Sequence, residues 1–384
     1  TGFPEPDALL DLIPRRKEGE CVLFCRPRDP EREQWDGYRL GCEGAVASHG
    51  ADQAHPLAEL DEVMPTLLDG CQRLYFPIGS DPALDAQVLG WVGRVRARTR
   101  AGAVAPDTFV TLESLLHEQR LRKSPAELAL MRRAAKISAF AHRRLMQCCR
   151  PGMMEYALEG EFRCACASRG ARELAYPTIV GGGPNACVLH YVENRSLLAD
   201  GDLVLIDAGC ELDGYASDIT RTFPVNGRFT PPQRELYELV LAAQLAAIEA
   251  TRPGVPWNLP HETALRVLTK GLVRLGILEG KVGKLVKDEA YKPYYMHRTG
   301  HWLGMDVHDV GSYKVAGDWR PLEPGMVVTV EPGLYMPDAE QVPEPYRRIG
   351  IRIEDDVLVT DSGHEVLTQG APKDPDEIEL LMAS

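Results

Sequence analysis

The sequence predicts an α+β protein in which a small α/β domain precedes a larger mixed domain. Three observations carry that expectation. A chain of 384 residues exceeds what one ordinary hydrophobic core accommodates, so two domains are expected. Its first third alternates short apolar runs with polar, proline-rich connections, the pattern of a small α/β unit. Beyond it, helices opened by capping signals alternate with strands rich in β-branched residues. The expected domains are residues 1–120 and 121–384.

In the first domain, "CVLFC" at 21–25 and "RLYFPIG" at 73–79 are the apolar runs, and a helix is expected from Pro82 to about Arg98. No constellation there reads as catalytic. At Ser124 the sequence "SPAE" supplies an N-cap, a proline at the first helical position and Glu127 at the third, a capping box that opens a long helix ending near "CCRPG". "TPPQ" at 230–233 starts a second helix, which runs to Arg252-Pro253-Gly254 and reads as an amphipathic packing helix. Three stretches read as strands: "LVLIDAG" at 203–209, "MVVTVEPG" at 326–333 and "IGIRIEDDVLVT" at 349–360. Two of them look alike. Gly201 and Gly209 flank Asp207 as Gly325 and Gly333 flank Glu331, which hints at an internal duplication whose halves each deliver a strand ending in a carboxylate.

The formal net charge of −13 argues against nucleic acid or an anionic membrane as partner, because neither gains from more negative charge. A metal cation or a positively charged substrate terminus suits it better. Ten cysteines are scattered without C-x-x-C pairs, which favours reduced thiols in a cytoplasm. No apolar run approaches the roughly 20 residues of a membrane span, so a soluble chain is expected. Residue 1 is Thr in "TGFPEP", and a natural start is expected upstream of it.

"HRTGHWLGMDVHD" holds three of the ten histidines, His297, His301 and His308. A zinc protease helix would place two histidines four apart with a glutamate after the first. His297 and His301 have the spacing, but Arg298 stands where the glutamate belongs and Gly300 weakens a helix. Any metal must therefore find its other ligands elsewhere. Asp207 follows four apolar strand residues, and Asp218 comes eleven residues later, after an expected turn at Gly214. Two antiparallel strands joined there bring the aspartates side by side. In "GIRIED" the period of two puts Arg352 and Glu354 on one face, so a cation can orient that carboxylate.

Each carboxylate alone reads as a cap or a surface residue; Asp207, Asp218, Glu331 and Glu354 with one histidine read as a metal site. Four crowded carboxylates repel and raise one another's pKa values, and two divalent cations cancel that charge. Oxygen-rich ligation with one imidazole favours manganese, magnesium or cobalt over a structural zinc. Two such ions about 4 Å apart polarise a carbonyl.

At this point the chain resembles the Xaa-Pro aminopeptidases of the pita-bread metallopeptidases. "LHYVEN" around His190, "LIDAGCELDGYASDITRTFPVNG", "HWLGMDVHD", "VEPG" and "GIRIEDD" carry the resemblance. It covers the chain from about Lys123 onward, and more loosely "WDGYRLG" in the first domain. It implies a C-terminal pita-bread catalytic domain behind a creatinase-like first domain. It implies that Asp207, Asp218, His301, Glu331 and Glu354 bind two divalent ions, most plausibly Mn2+, with Asp218 and Glu354 bridging. A bridging hydroxide would then attack the carbonyl before proline while Glu331 helps move its proton to the leaving nitrogen. By the same resemblance His308 steadies the developing charge, His190 contacts substrate near the scissile bond and His297 lines the proline pocket. Tyr335 and Arg352 would orient substrate or ligands, and Tyr176 would support the metals.

The substrates so implied are peptides with proline at the second position, handled by a homo-oligomer, tetramer or dimer, with no nucleic-acid or membrane partner. The family's first domain begins earlier, by roughly fifty residues on that comparison, and the "RT" between His297 and Gly300 has no ready reading. Three alternatives remain at this stage: a prolidase restricted to dipeptides, a methionine aminopeptidase, which would not need the first domain, and a non-catalytic peptide-binding scaffold, which would tend to lose metal ligands.

Overall fold

The computed structural model describes residues 2–384, which divide between Leu115 and Leu116 into two compact units. In the first, the Cys21–Cys25 strand lies between Leu9–Leu12, antiparallel, and Gln53–Pro56, parallel. A second small sheet pairs Arg73–Phe76 in parallel with Thr108–Thr111. Parallel neighbours need a crossover, and the Pro82–Ala97 helix supplies it, capped by Asp81, which accepts from the Ala83 N–H at 2.8 Å. Trp91 of this helix is buried among Val22, Phe24 and Met64. Its indole N–H donates to Asp61 at 2.7 Å, the partner a buried Trp requires.

The second unit opens with the Pro125–Cys148 helix, whose capping box joins Ser124 and Glu127 as expected. Ala134, Ala141 and Leu145 fall on its buried face at helical spacing. Leu145→Ala would cost about 2–5 kcal/mol through the cavity it leaves. The "TPPQ" signal likewise opens the Pro231–Ala250 helix, with Thr230 and Gln233 forming the capping box.

Two antiparallel systems follow. Leu203–Asp207 lies between Ile179–Gly182 and Thr220–Pro224, with Asp207 opposite both Ile179 and Thr220. Val327–Val330 pairs with Asp355–Val359, and Gly333–Tyr335 with Gly350–Arg352. A hairpin of Cys210–Leu212 with Tyr215–Ala216 connects the two aspartates, turning at Asp213 and Gly214 with φ of 51° and 81°. Positive φ at both central residues is what a two-residue hairpin of this hand demands.

Two of the expected strands are interrupted. The stretch 349–360 breaks between Gly350–Arg352 and Asp355–Val359. The chain changes partners there: the Ile353 N–H goes to Pro332 O at 3.3 Å and the Glu354 N–H to Thr220 O at 3.1 Å. The stretch 326–333 ends as a strand at Val330, where Pro332 offers no N–H to continue a ladder. Glu331 and Glu354 thus both sit at strand breaks. Between His297 and Asp309 there is no helix, only irregular chain with a bridge from Trp302 to Val328. Gly300 is there for close approach: a Cβ on it would lie 2.0 Å from Thr329 O.

Arg221 ties these elements together. Fully buried with Asp355, it donates from Nη2 to Asp355 at 2.7 Å and to Ala371 O at 2.9 Å, and from Nε to Pro372 O at 2.9 Å. Lys373 and Gln244 complete the shell around Asp355 at 2.6 and 2.7 Å. Buried charges persist only when paired and hydrogen-bonded in this way. Among the described residues no helix is long and apolar enough to cross a membrane.

Candidate metal centre

The strand ends and breaks converge on one cavity of about 510 Å³. All five candidate ligands line it, as do His190, His297, His308, Arg352 and Tyr176. Tyr335 stands behind the wall, touching His297 Nε2 at 2.8 Å and accepting from Arg352 at 2.9 Å.

Asp207, the last residue of its strand, accepts from Tyr176 at 2.7 Å on Oδ1 and from Arg352 at 2.7 Å on Oδ2. Asp218 shares the Tyr176 hydroxyl at 2.5 Å. Its N–H lies 3.2 Å from both Asp356 oxygens. Glu354 accepts from Thr220 Oγ1 at 2.6 Å. His301 Nδ1 meets the Trp302 carbonyl at 2.9 Å. That contact makes Nδ1 the protonated nitrogen, so the lone pair belongs to Nε2, the arrangement that a metal-binding imidazole uses. Nε2 faces Asp218 Oδ2 at 3.4 Å and Glu331 Oε1 at 3.8 Å. Donor atoms of Asp218, His301 and Glu354 all lie within 4.8 Å of one another.

The electrostatics call for a cation. Burial raises the carboxyls of Asp207, Glu331 and Glu354, and neighbouring carboxylates add to this. Glu331 reaches about 7 although His301 and Arg352 oppose the rise. Burial would depress the His301 imidazole, yet Asp218 and Glu331 drive it to about 9. A site that pulls a proton onto its histidine has room for positive charge, and divalent ions supply more of it. The donor set of four carboxylates and one imidazole therefore fits hard divalent metal ions.

His297 and His308 are both held below the ordinary histidine value. Burial, then Arg352, holds His297 down to about 3. Burial and His301 lower His308, whose ring centroid lies 4.3 Å from that of His301.

Beyond Arg352, Tyr335 and Tyr176, three residues that hold the candidate ligands in place escaped the sequence reading. Thr329 Oγ1 receives the His301 N–H at 3.1 Å and donates toward Glu331 at 3.4 Å. Thr220 binds Glu354, and Asp356 receives the Asp218 N–H. The signal was available: Thr220, Thr329 and Asp356 each stand two residues from Asp218, Glu331 or Glu354, on the same side of an extended chain.

Comparison with known proteins agrees with this geometry. The model of metallopeptidase family M24 matches residues 129–361, and that of the aminopeptidase P N-terminal domain matches residues 1–75. The chain is 49% identical to Xaa-Pro aminopeptidase of Escherichia coli, covering 100% of this chain and 87% of that protein. Aminopeptidase PepP of Pseudomonas aeruginosa superimposes with a TM-score of 0.98 at 56% identity, over 100% of this chain and 87% of that one. A zinc-substituted E. coli aminopeptidase P in complex with product gives 0.96 at 48% identity, with coverage of 100% and 87%. With an N-terminal aminopeptidase P domain before a pita-bread domain, the chain belongs to metallopeptidase family M24, among its Xaa-Pro aminopeptidases.

Proposed function

We propose that this metallo-aminopeptidase uses two divalent ions, manganese by preference, to release the residue that precedes an N-terminal proline. The observation that carries the reading is the convergence of His301 Nε2 with carboxylates of Asp218 and Glu354 within 4.8 Å. Asp207, Asp218, His301, Glu331 and Glu354 would hold the ions. When bound, the metals neutralise the carboxylates and supply Lewis-acid activation of the scissile carbonyl and of water.

The chain's own residues do the rest. The carboxylate-rich end of the cavity takes the amino end of the peptide. Glu331 accepts a proton at its carboxylate and delivers it to the proline nitrogen. His308, kept neutral by burial, donates to the oxygen on which negative charge develops. His190 contacts the peptide beside the scissile bond, and His297, held by Tyr335, lines the proline pocket. Arg352 and Tyr176 keep Asp207 in place. A dedicated site makes sense for this bond, because proline leaves no N–H for a general protease to bind and fixes φ.

Peptides with proline second are the substrates of this reading. Ten free cysteines fit a reducing, cytoplasmic setting. Trp35 and Tyr38, 84% and 93% exposed, offer the apolar contact for a homo-oligomer, dimer or tetramer.

The test strips the protein with a chelator, restores manganese, cobalt or zinc in turn, and follows Arg-Pro-Pro, Ala-Pro and Met-Ala-Ser by mass spectrometry. Metal-dependent release of Arg, best with manganese, supports the reading. Cleavage of Ala-Pro alone would mean a dipeptidase, and Asp218→Ala with full turnover would overturn the ligand assignment.

A further inference from the structure

Arg298, the residue that displaces the zincin glutamate, has no role in the metal site. It lines the same cavity as the metal-binding carboxylates. Its guanidinium lies 5.2 Å from the Trp257 ring centroid and 5.0 Å from that of Trp319. The two indoles stack 5.7 Å apart. Nη2 donates to the Asn258 amide oxygen, and the Asn258 amide nitrogen in turn donates to Glu262 at 2.7 Å. Glu262 therefore reaches Arg298 only through a neutral amide, and among the described residues no carboxylate pairs with Arg298 directly. Lys314 sits 4.5 Å over the same Trp319 ring and adds a second positive charge.

The contrast with Arg352 is informative. Arg352 also lines the cavity, but it spends its donors on Thr220, Tyr335 and Asp207. Arg298 spends one on Asn258 and keeps the others, beside the faces of two indoles. A guanidinium so held is preorganised for the two oxygens of a carboxylate. The cavity then has two poles: the metal-site residues at the peptide's amino end, and Arg298 for a negative group further along the peptide. Arg298 directly follows His297, so on the reading above it meets the residue after proline.

We infer that Arg298 binds a carboxylate on the substrate segment that follows proline, either the terminus of a tripeptide or an acidic side chain at the third position. The inference deepens the aminopeptidase reading and rests on it.

The experiment measures kcat/KM of the manganese-loaded protein on Ala-Pro-Ala, Ala-Pro-Ala-amide and Ala-Pro-Glu-amide. The free acid is expected to exceed its amide about tenfold, the size of one hydrogen bond to a charged group. Arg298→Gln brings that ratio close to one, and Arg298→Lys keeps part of it. Preference for the free acid identifies the terminus as the carboxylate; preference for Ala-Pro-Glu-amide over Ala-Pro-Ala-amide identifies the side chain. Equal rates on all three peptides in the unaltered protein overturn the inference without any variant. A ratio that survives Arg298→Gln overturns it as well. Failure to cleave any of the three, with metal bound, overturns the aminopeptidase reading and this inference with it.

Discussion

Nη2 of Arg352 donates to Oδ2 of Asp207 at 2.7 Å, joining strands 145 residues apart in the chain. The same guanidinium reaches Tyr335 and Thr220, so its fork geometry is in use on three sides. Arg352→Lys keeps the charge but not the fork. The manganese affinity should fall about 10–100-fold, as for other residues that orient metal ligands. Calorimetric titration of the stripped protein reads this directly; an unchanged Kd would remove Arg352 from the support of the site.

His308 touches the His301 ring without sharing its contacts to the carboxylates. His308→Ala should therefore lower kcat by on the order of 10²-fold, the usual loss of one donor to a developing negative charge. Metal content, measured by elemental analysis, should stay the same. A variant that loses metal in parallel would place His308 among the ligands instead.

Lys123 and Asp309 form a buried pair, each side chain 1% exposed, at 3.2 Å. Arg120 adds a contact to Asp309 at 2.6 Å. Asp309→Asn strands buried positive charge and should cost about 3–5 kcal/mol in urea unfolding. Glu323→Gln at the solvent-exposed Arg122 pair should change stability by no more than about 1 kcal/mol. Equal effects of the two would mean that the buried pair is screened like a surface one.

Asp355 gives a pH dependence with a definite sign. Burial alone would raise its carboxyl, but Arg221 and Lys373 outweigh that and hold it below the usual range. The folded state then binds the proton more weakly than the unfolded chain does. The resulting stability is complete above the unfolded carboxylate value of about 4 and fades as the pH falls through the lower folded value. In metal-free protein, the stability deficit of Asp355→Asn should be largest at neutral pH and shrink in acid. A deficit that stays constant down to pH ~3 would contradict the linkage.

Much of this architecture was legible in the residues. Both capping boxes open their helices where "SPAE" and "TPPQ" stand, because a cap is written in four consecutive side chains. The strand ending at Asp207 and the turn at Gly214 were equally local. The break at Glu331 was local too, since Pro332 follows it; the break at Glu354 was not. It arises because Ile353 and Glu354 leave one partner for Pro332 and Thr220, a choice made by distant backbone. Gly300 was rightly read as unfavourable to a helix, but its structural reason lay out of reach. Its lack of a side chain concerns Thr329 O across the sheet, and no neighbour in sequence announces that contact.

The Arg221 network sets a timetable for biosynthesis. Arg221 emerges from the ribosome 150 residues ahead of the Ala371 carbonyl it needs, a lag of roughly 8–30 s at ordinary elongation rates. Through that interval its guanidinium has neither Asp355 nor those carbonyls, and the segments bearing Asp218 and Glu354 lack the buried tie between them. The shell around Asp355 is therefore complete only once Lys373 itself has left the ribosome.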